Sequence, residues 1–171
     1  TCMLIHRIAA QLHTSDAFQA VESALAAGED ATLAVSQSGR TLMLAAQFAR
    51  APRPTVYIVS GEDAADRAAR SLAAYVGAAH VARFPERADY PWKDTQPDDA
   101  VVAARCAALG RLARGEACIV VSSARALLRC VPPRESRYWA STVFSVGEEV
   151  PFEEVPARLI GMGYANADAA D

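Results

Sequence analysis

Apolar residues along this chain fall into two alternating kinds of run. Short stretches rich in β-branched side chains occur at Ala31-Thr32-Leu33-Ala34-Val35, Thr55-Val56-Tyr57-Ile58-Val59, His80-Val81-Ala82-Arg83-Phe84 and Cys118-Ile119-Val120-Val121. They are continuous rather than alternating, the pattern of strands covered on both faces of a parallel sheet. Between them lie longer Ala- and Leu-rich stretches with helical spacing. Ser15 or Asp16 caps a first helix reaching residue 27, ahead of Gly28. A second helix spans 41–50 and is stopped by Pro52 and Pro54, and a third spans 62–76 before Gly77. Asp98 or Asp99 caps a fourth, which runs to about Arg114 and closes at Gly115. A short fifth one starts at Ser122 or Ser123 and ends at Pro132-Pro133. Strand alternating with helix predicts right-handed crossovers and an α/β fold with a doubly wound, mostly parallel sheet.

The pattern changes after Trp139. Thr142-Val143-Phe144-Ser145-Val146 predicts a strand, Gly147-Glu148 a turn, and 152–162 a helix before Gly163. Charge changes at the same place. Residues 100–140 hold seven Arg against two Glu, whereas 148–171 hold six acids against one Arg. A domain boundary near 140 follows, with 1–140 as the first domain and 141–171 as the start of a second. One strand and one helix are too little to close a core of their own.

Composition narrows the class. The 171 residues carry 17 basic and 20 acidic side chains, a net charge of -3, and 52% of them are hydrophobic. Removing the 38 Ala still leaves 51 larger apolar residues, enough for a core and unlike a disordered chain. No apolar run approaches the roughly 20 residues of a membrane helix, and no charged start with an apolar run and cleavage site opens the chain. The expectation is a soluble cytoplasmic domain with no membrane partner. Cys106, Cys118 and Cys130 stand twelve apart, unlike the close pairing of zinc or redox sites, and read as reduced structural thiols.

Ala34-Val35-Ser36-Gln37-Ser38-Gly39-Arg40-Thr41 has the place and length of a phosphate loop, G-x-x-x-x-G-K-[ST]. In such a loop glycines let backbone amides curl around phosphates, Lys reaches the terminal phosphates, and the hydroxyl binds magnesium. Gly39 and Thr41 fit. Ala34 replaces the first glycine, and Arg40 places a bulky planar guanidinium where a compact ammonium is needed. Two readings stand: an ordinary βα turn, or a divergent nucleotide site at Gly39, Arg40 and Thr41. No Asp-Glu pair closes an apolar strand, so ATP hydrolysis is not expected here. Arg105, Arg111, Arg114, Arg125, Arg129, Arg134 and Arg137 form a candidate nucleic-acid surface. Against it, Arg outnumbers Lys 16 to 1 throughout, so a solvated face or interdomain contact reads as well. Tyr90 and Trp92 can stack on bases, but Glu86, Asp89, Asp94, Asp98 and Asp99 crowd them and repel phosphates. His6, His13 and His80 lack ligands at metal spacing, and Ser36, Ser38, Ser122 and Ser123 lack a nucleophile elbow.

Four motifs in order carry a resemblance: Phe84-Pro85 with Tyr90-Pro91-Trp92 and Pro97; the helix bearing Val101-Val102-Ala103 and Arg105; 119–128 with Pro132-Pro133; and Val146-Gly147-Glu148-Glu149-Val150 with Arg158-Leu159, Gly163-Tyr164 and Asp168. Together they resemble the N-terminal, excinuclease-B-like module of bacterial transcription-repair coupling factors. The match runs without gaps over 84–168 and more loosely back to about residue 15. Excinuclease B itself has an intact phosphate loop and a long aromatic-rich DNA-clamping hairpin, whereas only a few residues span 92–99 here.

The resemblance implies a degenerate phosphate-loop, helicase-like first domain. It implies a non-catalytic module that binds no cofactor itself, within a larger protein whose other domains use ATP and magnesium, engage RNA polymerase and translocate on duplex DNA. It further implies recruitment of the excinuclease A subunit through the second domain, with Arg158, Tyr164, Asn166 and Asp168 as contact positions. Asn166 stands where the family often has a basic residue. A nucleotide-binding, excinuclease-B-like domain with a divergent phosphate loop is the alternative.

Overall fold

A computed structural model describes residues 11–87, 98–131, 133 and 144–161. Two compact units make up the chain, divided between Arg129 and Cys130. The composition shift near 140 falls among residues outside the described ones.

In the first unit α1 (Asp16–Ala26) starts where the sequence signals it, because the Ser15 hydroxyl accepts a hydrogen bond from the Phe18 amide. Next come α2 (Gln37–Arg50), β1 (Thr55–Val59) and α3 (Glu62–Val76). Helix α3 closes at Gly77, whose φ of 92° favours glycine, and a 3-10 turn over Ala78–His80 leads into β2 (Val81–Phe84). Asp98 caps α4 (Asp99–Ala113) by accepting the Ala100 amide at 2.9 Å. The last strand is β3 (Ile119–Ser123), followed by a 3-10 turn over Arg125–Leu128.

The three strands form one parallel sheet in the order β1-β3-β2, with Ile119 opposite both Thr55 and Val81. Each crossover carries a helix, as a βαβ pattern requires. β3 lies in the middle and every residue of it is buried. Its side chains alternate between faces. Ile119 and Val121 join Ala45 and Phe48 of α2 and Ala65, Ala68 and Leu72 of α3 in one cluster. Cys118 and Val120 join Phe84, Ala126 and Ala108 of α4 in a second. Helices therefore cover both faces of β3, the arrangement its unbroken apolar run predicts. β1 differs. Thr55, Tyr57 and Val59 are half-buried, but Val56 and Ile58 remain 46% and 53% exposed.

Three expectations need correction. Residues 31–35 form no strand; Ala31, Thr32, Leu33 and Ala34 are exposed and only Val35 is half-buried. The physical reason is bulk, since two of the five are Ala, which buries little area and favours strands weakly. Ser122 and Ser123 complete β3 instead of starting a helix, and the turn after them is 3-10. Their hydroxyls are spent inside: Ser122 donates to the Phe84 carbonyl and Ser123 accepts the Ala126 amide. In the second unit Phe144, Ser145 and Val146 are not in a strand, while Thr142 and Val143 lie outside the described residues. That unit holds α5 (Glu154–Gly161), slightly shorter than the 152–162 read from the sequence. Among the described residues no helix is long and apolar enough to cross a membrane.

Candidate functional site

The phosphate-loop position is built differently from a phosphate loop. Helix α2 begins at Gln37, four residues before the expected start, so Gly39, Arg40 and Thr41 sit in its first turns. Among the described residues no strand precedes them. Ser36 is the N-cap, and its Oγ accepts the Gly39 amide at 3.3 Å. The Thr41 hydroxyl turns back to donate to the Ser38 carbonyl at 3.1 Å, and Thr41 is buried. Arg40 is exposed, with Nε 3.4 Å from the Val35 carbonyl. The amide of Gly39 and the hydroxyl of Thr41 are thus engaged within the chain.

Gly39 is needed for space. A Cβ there would lie 2.5 Å from Cγ1 of Val35, a β-branched side chain with little rotamer freedom. Gly39→Ala should therefore lower stability by about 1 kcal/mol despite the better helix propensity of Ala, whereas Arg40→Ala should be near neutral. Urea denaturation of both variants checks this. A stabilised Gly39→Ala would show that Val35 moves aside freely.

A groove of about 760 Å³ opens beside this helix start, at the carboxyl ends of β1 and β3, where open parallel sheets usually hold their ligands. Ser38, Arg40 and Thr41 form one wall, Tyr57, Ile58, Val59 and Ser60 a second, and Arg67 and Ser71 a third. Its lining includes two cations and no carboxylate. Asp63 of α3 is exposed one turn before Arg67, and the other two acids beside it on that helix, Glu62 and Asp66, share a single partner, Arg83. Its guanidinium contacts Glu62 and Asp66, each at 2.9 Å, and donates to the Val121 carbonyl. Arg40 and Arg67 make no ion pair among the described residues, so their charge faces the groove's solvent.

The Arg cluster, by contrast, is largely consumed. Arg105 is buried at 6% exposure, with Cζ 3.8 Å above the Phe84 ring centroid. Arg111 and Arg114 both hold Glu116, at 3.0 and 2.7 Å, and Arg111 also donates to the Ala79 carbonyl. The Arg114 hydrogen bond, helped by Arg111, keeps the Glu116 carboxyl below its ordinary range. Arg125 pairs with Glu86 at 3.2 Å. Arg134 and Arg137 lie outside the described residues, as do Tyr90 and Trp92. Of the histidines, His13 stands edge-on to Phe18 and His80 lies against Phe48, both packing roles. Cys118 is buried, and burial pushes its thiol pKa up, away from the reactive thiolate.

Of the second-domain positions, Arg158 lies on α5 and pairs with Glu154 one turn earlier at 2.9 Å. Tyr164, Asn166 and Asp168 lie outside the described residues.

No protein-family model matches the chain. It is 29% identical over 171 residues, 95% of its length, to a transcription-repair-coupling factor of Myxococcus xanthus. Relatives of the same name from Mycobacterium bovis and Mycobacterium tuberculosis are each 31% identical over 147 residues, 82% of this chain. The chain spans only 12–14% of the length of these curated relatives. Their shared name, over nearly the whole chain, supports the transcription-repair coupling factors as its family.

Proposed function

We propose that this chain is the N-terminal, non-catalytic module of a transcription-repair coupling factor. In the full-length protein it recruits the excinuclease A subunit to stalled RNA polymerase in the cytoplasm, for transcription-coupled nucleotide excision repair. ATP-driven translocation on duplex DNA belongs to other parts of that protein, and so do its magnesium and its RNA polymerase contacts. One observation carries the non-catalytic reading: the Gly39 amide, which a phosphate loop would offer to its ligand, is already bonded to Ser36. Arg40 adds to it, because a guanidinium does not replace the compact phosphate-loop ammonium. Family likeness and the motifs near Arg158 support the recruitment role.

Calorimetric titration of the chain with ATP and magnesium should show no binding at millimolar nucleotide. A micromolar dissociation constant would overturn the non-catalytic reading. Immobilised chain should retain purified excinuclease A, and Arg158→Glu should weaken retention several-fold by removing the one cation of the acidic C-terminal stretch. Equal retention by the variant would remove Arg158 from the contact. The alternative reading, a divergent nucleotide-binding domain, draws on the groove's place at the strand ends and on Arg40 within it; the same ATP titration decides between them.

A further inference from the structure

We propose that Arg105 is a latch joining the chain that leaves β2 to the chain that leaves β3, so that the two exits open and close together and a displacement of one is transmitted to the other. The device lies wholly in the first unit and is independent of the Arg158 region.

Side chains bridge the two exits at successive points. Ser122 Oγ donates to the Phe84 carbonyl at 3.2 Å. One residue further along, Nη1 of Arg105 donates to the Pro85 carbonyl at 2.7 Å and to the Ala126 carbonyl at 3.3 Å. Glu86 then pairs with Arg125 at 3.2 Å. A single nitrogen thus holds one carbonyl of each exit, and the same guanidinium lies over the Phe84 ring. Phe84, Ser122 and Ala126 are all buried.

Burial decides which bridge governs. In the outer pair Arg125 is mostly exposed, and an ion pair so open to water contributes little. Arg105 is shut away from solvent, where its hydrogen bonds meet no competition from water. Moving either carbonyl away admits water to that guanidinium, and its remaining bond to the other exit is weakened in turn. The half-open state therefore loses most of what the closed state gains, which makes the two exits one local cooperative unit. The first exit leads on to Tyr90 and Trp92, and the second to the division between the units after Arg129. A contact made at either end is felt at the other, and such coupling is reciprocal.

Native-state hydrogen exchange of the 171-residue chain tests this. The reporter is the Ala126 amide, which donates to Ser123 Oγ in the turn after β3. Pro85→Gly frees the backbone of the β2 exit and should speed exchange at Ala126 by at least about fivefold. The Thr55 amide, bonded to the Cys118 carbonyl at the other end of the sheet, should keep its rate. With Arg105→Lys, which loses the planar fork and its stacking, the same Pro85→Gly change should move Ala126 by less than about twofold. Glu86→Gln, which removes only the outer pair, should leave the Pro85→Gly effect in place, and so should added salt. Thermal melting confirms that each variant is folded. Unchanged exchange at Ala126 in Pro85→Gly, equal acceleration at Thr55, the same response after Arg105→Lys, or loss of the response in Glu86→Gln or in salt would each overturn the latch.

Discussion

Arg105→Ala should destabilise the first unit by about 3 kcal/mol, seen as a lower urea midpoint with an unchanged slope. Arg105 sits on α4 with its guanidinium inside the domain. One of its nitrogens, Nη1, donates to the Pro85 carbonyl at 2.7 Å and the Ala126 carbonyl at 3.3 Å, and its plane lies over Phe84. It thereby ties α4 to the segment after β2 and to the turn after β3. Removing it strands two carbonyls and uncovers an aromatic face in one step. Arg105→Lys should recover only part of the loss, because an ammonium neither stacks on the ring nor presents a planar fork. If Arg105→Ala unfolds at the wild-type midpoint, the buried guanidinium contributes nothing and the charge belongs at the surface.

A second large effect is expected at Leu72. This side chain is fully buried on α3, in the cluster with Phe48, Ile119 and Val121. Leu72→Ala should cost about 3 kcal/mol through lost transfer free energy and the cavity left behind. Ile58→Ala, a comparable truncation on β1, should cost under about 1 kcal/mol, because Ile58 is 53% exposed. Far-UV circular dichroism in urea measures both. Similar losses at the two positions would mean that the outer face of β1 is covered in solution.

Much of the fold is legible because local chemistry and tertiary context agree. Thr55-Val56-Tyr57-Ile58-Val59 is five residues of strand-favouring side chains bounded by Pro54 and Gly61, and β1 matches it to the residue. Residues 62–76 pair acidic first-turn residues with a closing glycine, and α3 matches them likewise. The failures have separate causes. Ala31-Thr32-Leu33-Ala34-Val35 has the look of a strand, but its small side chains give a neighbour little to bury. Ser122 and Ser123 have the look of a helix cap, but the β1 and β2 ladders on either side hold them extended.

The candidate site was harder to read, because the sequence shows an arginine's charge and not its partner. The seven arginines between 100 and 140 suggest one basic face; packing buries Arg105 and gives Arg111, Arg114 and Arg125 to carboxylates. Nothing in the local sequence marks Arg67 as a groove residue or gives Arg83 its partners, yet Arg83 pairs with two acids of α3 and Arg67 lines the groove. Sequence spacing brought Gly39, Arg40 and Thr41 to notice for the right place but not for the right geometry, since the Ser36 cap draws them into the helix.

Local preference by itself determined where helices begin, where glycine and proline stop them, and that continuous β-branched runs would stand in a parallel sheet. Only the assembled structure decided that β3 lies between β1 and β2, that Val56 and Ile58 of β1 stay exposed while all of β3 is buried, and, among the described residues, which arginines meet carboxylates. The division is physical: helix caps and side-chain branching act within a few residues of chain, whereas strand order, burial and ion pairing depend on groups that are distant in sequence and meet only when the core closes.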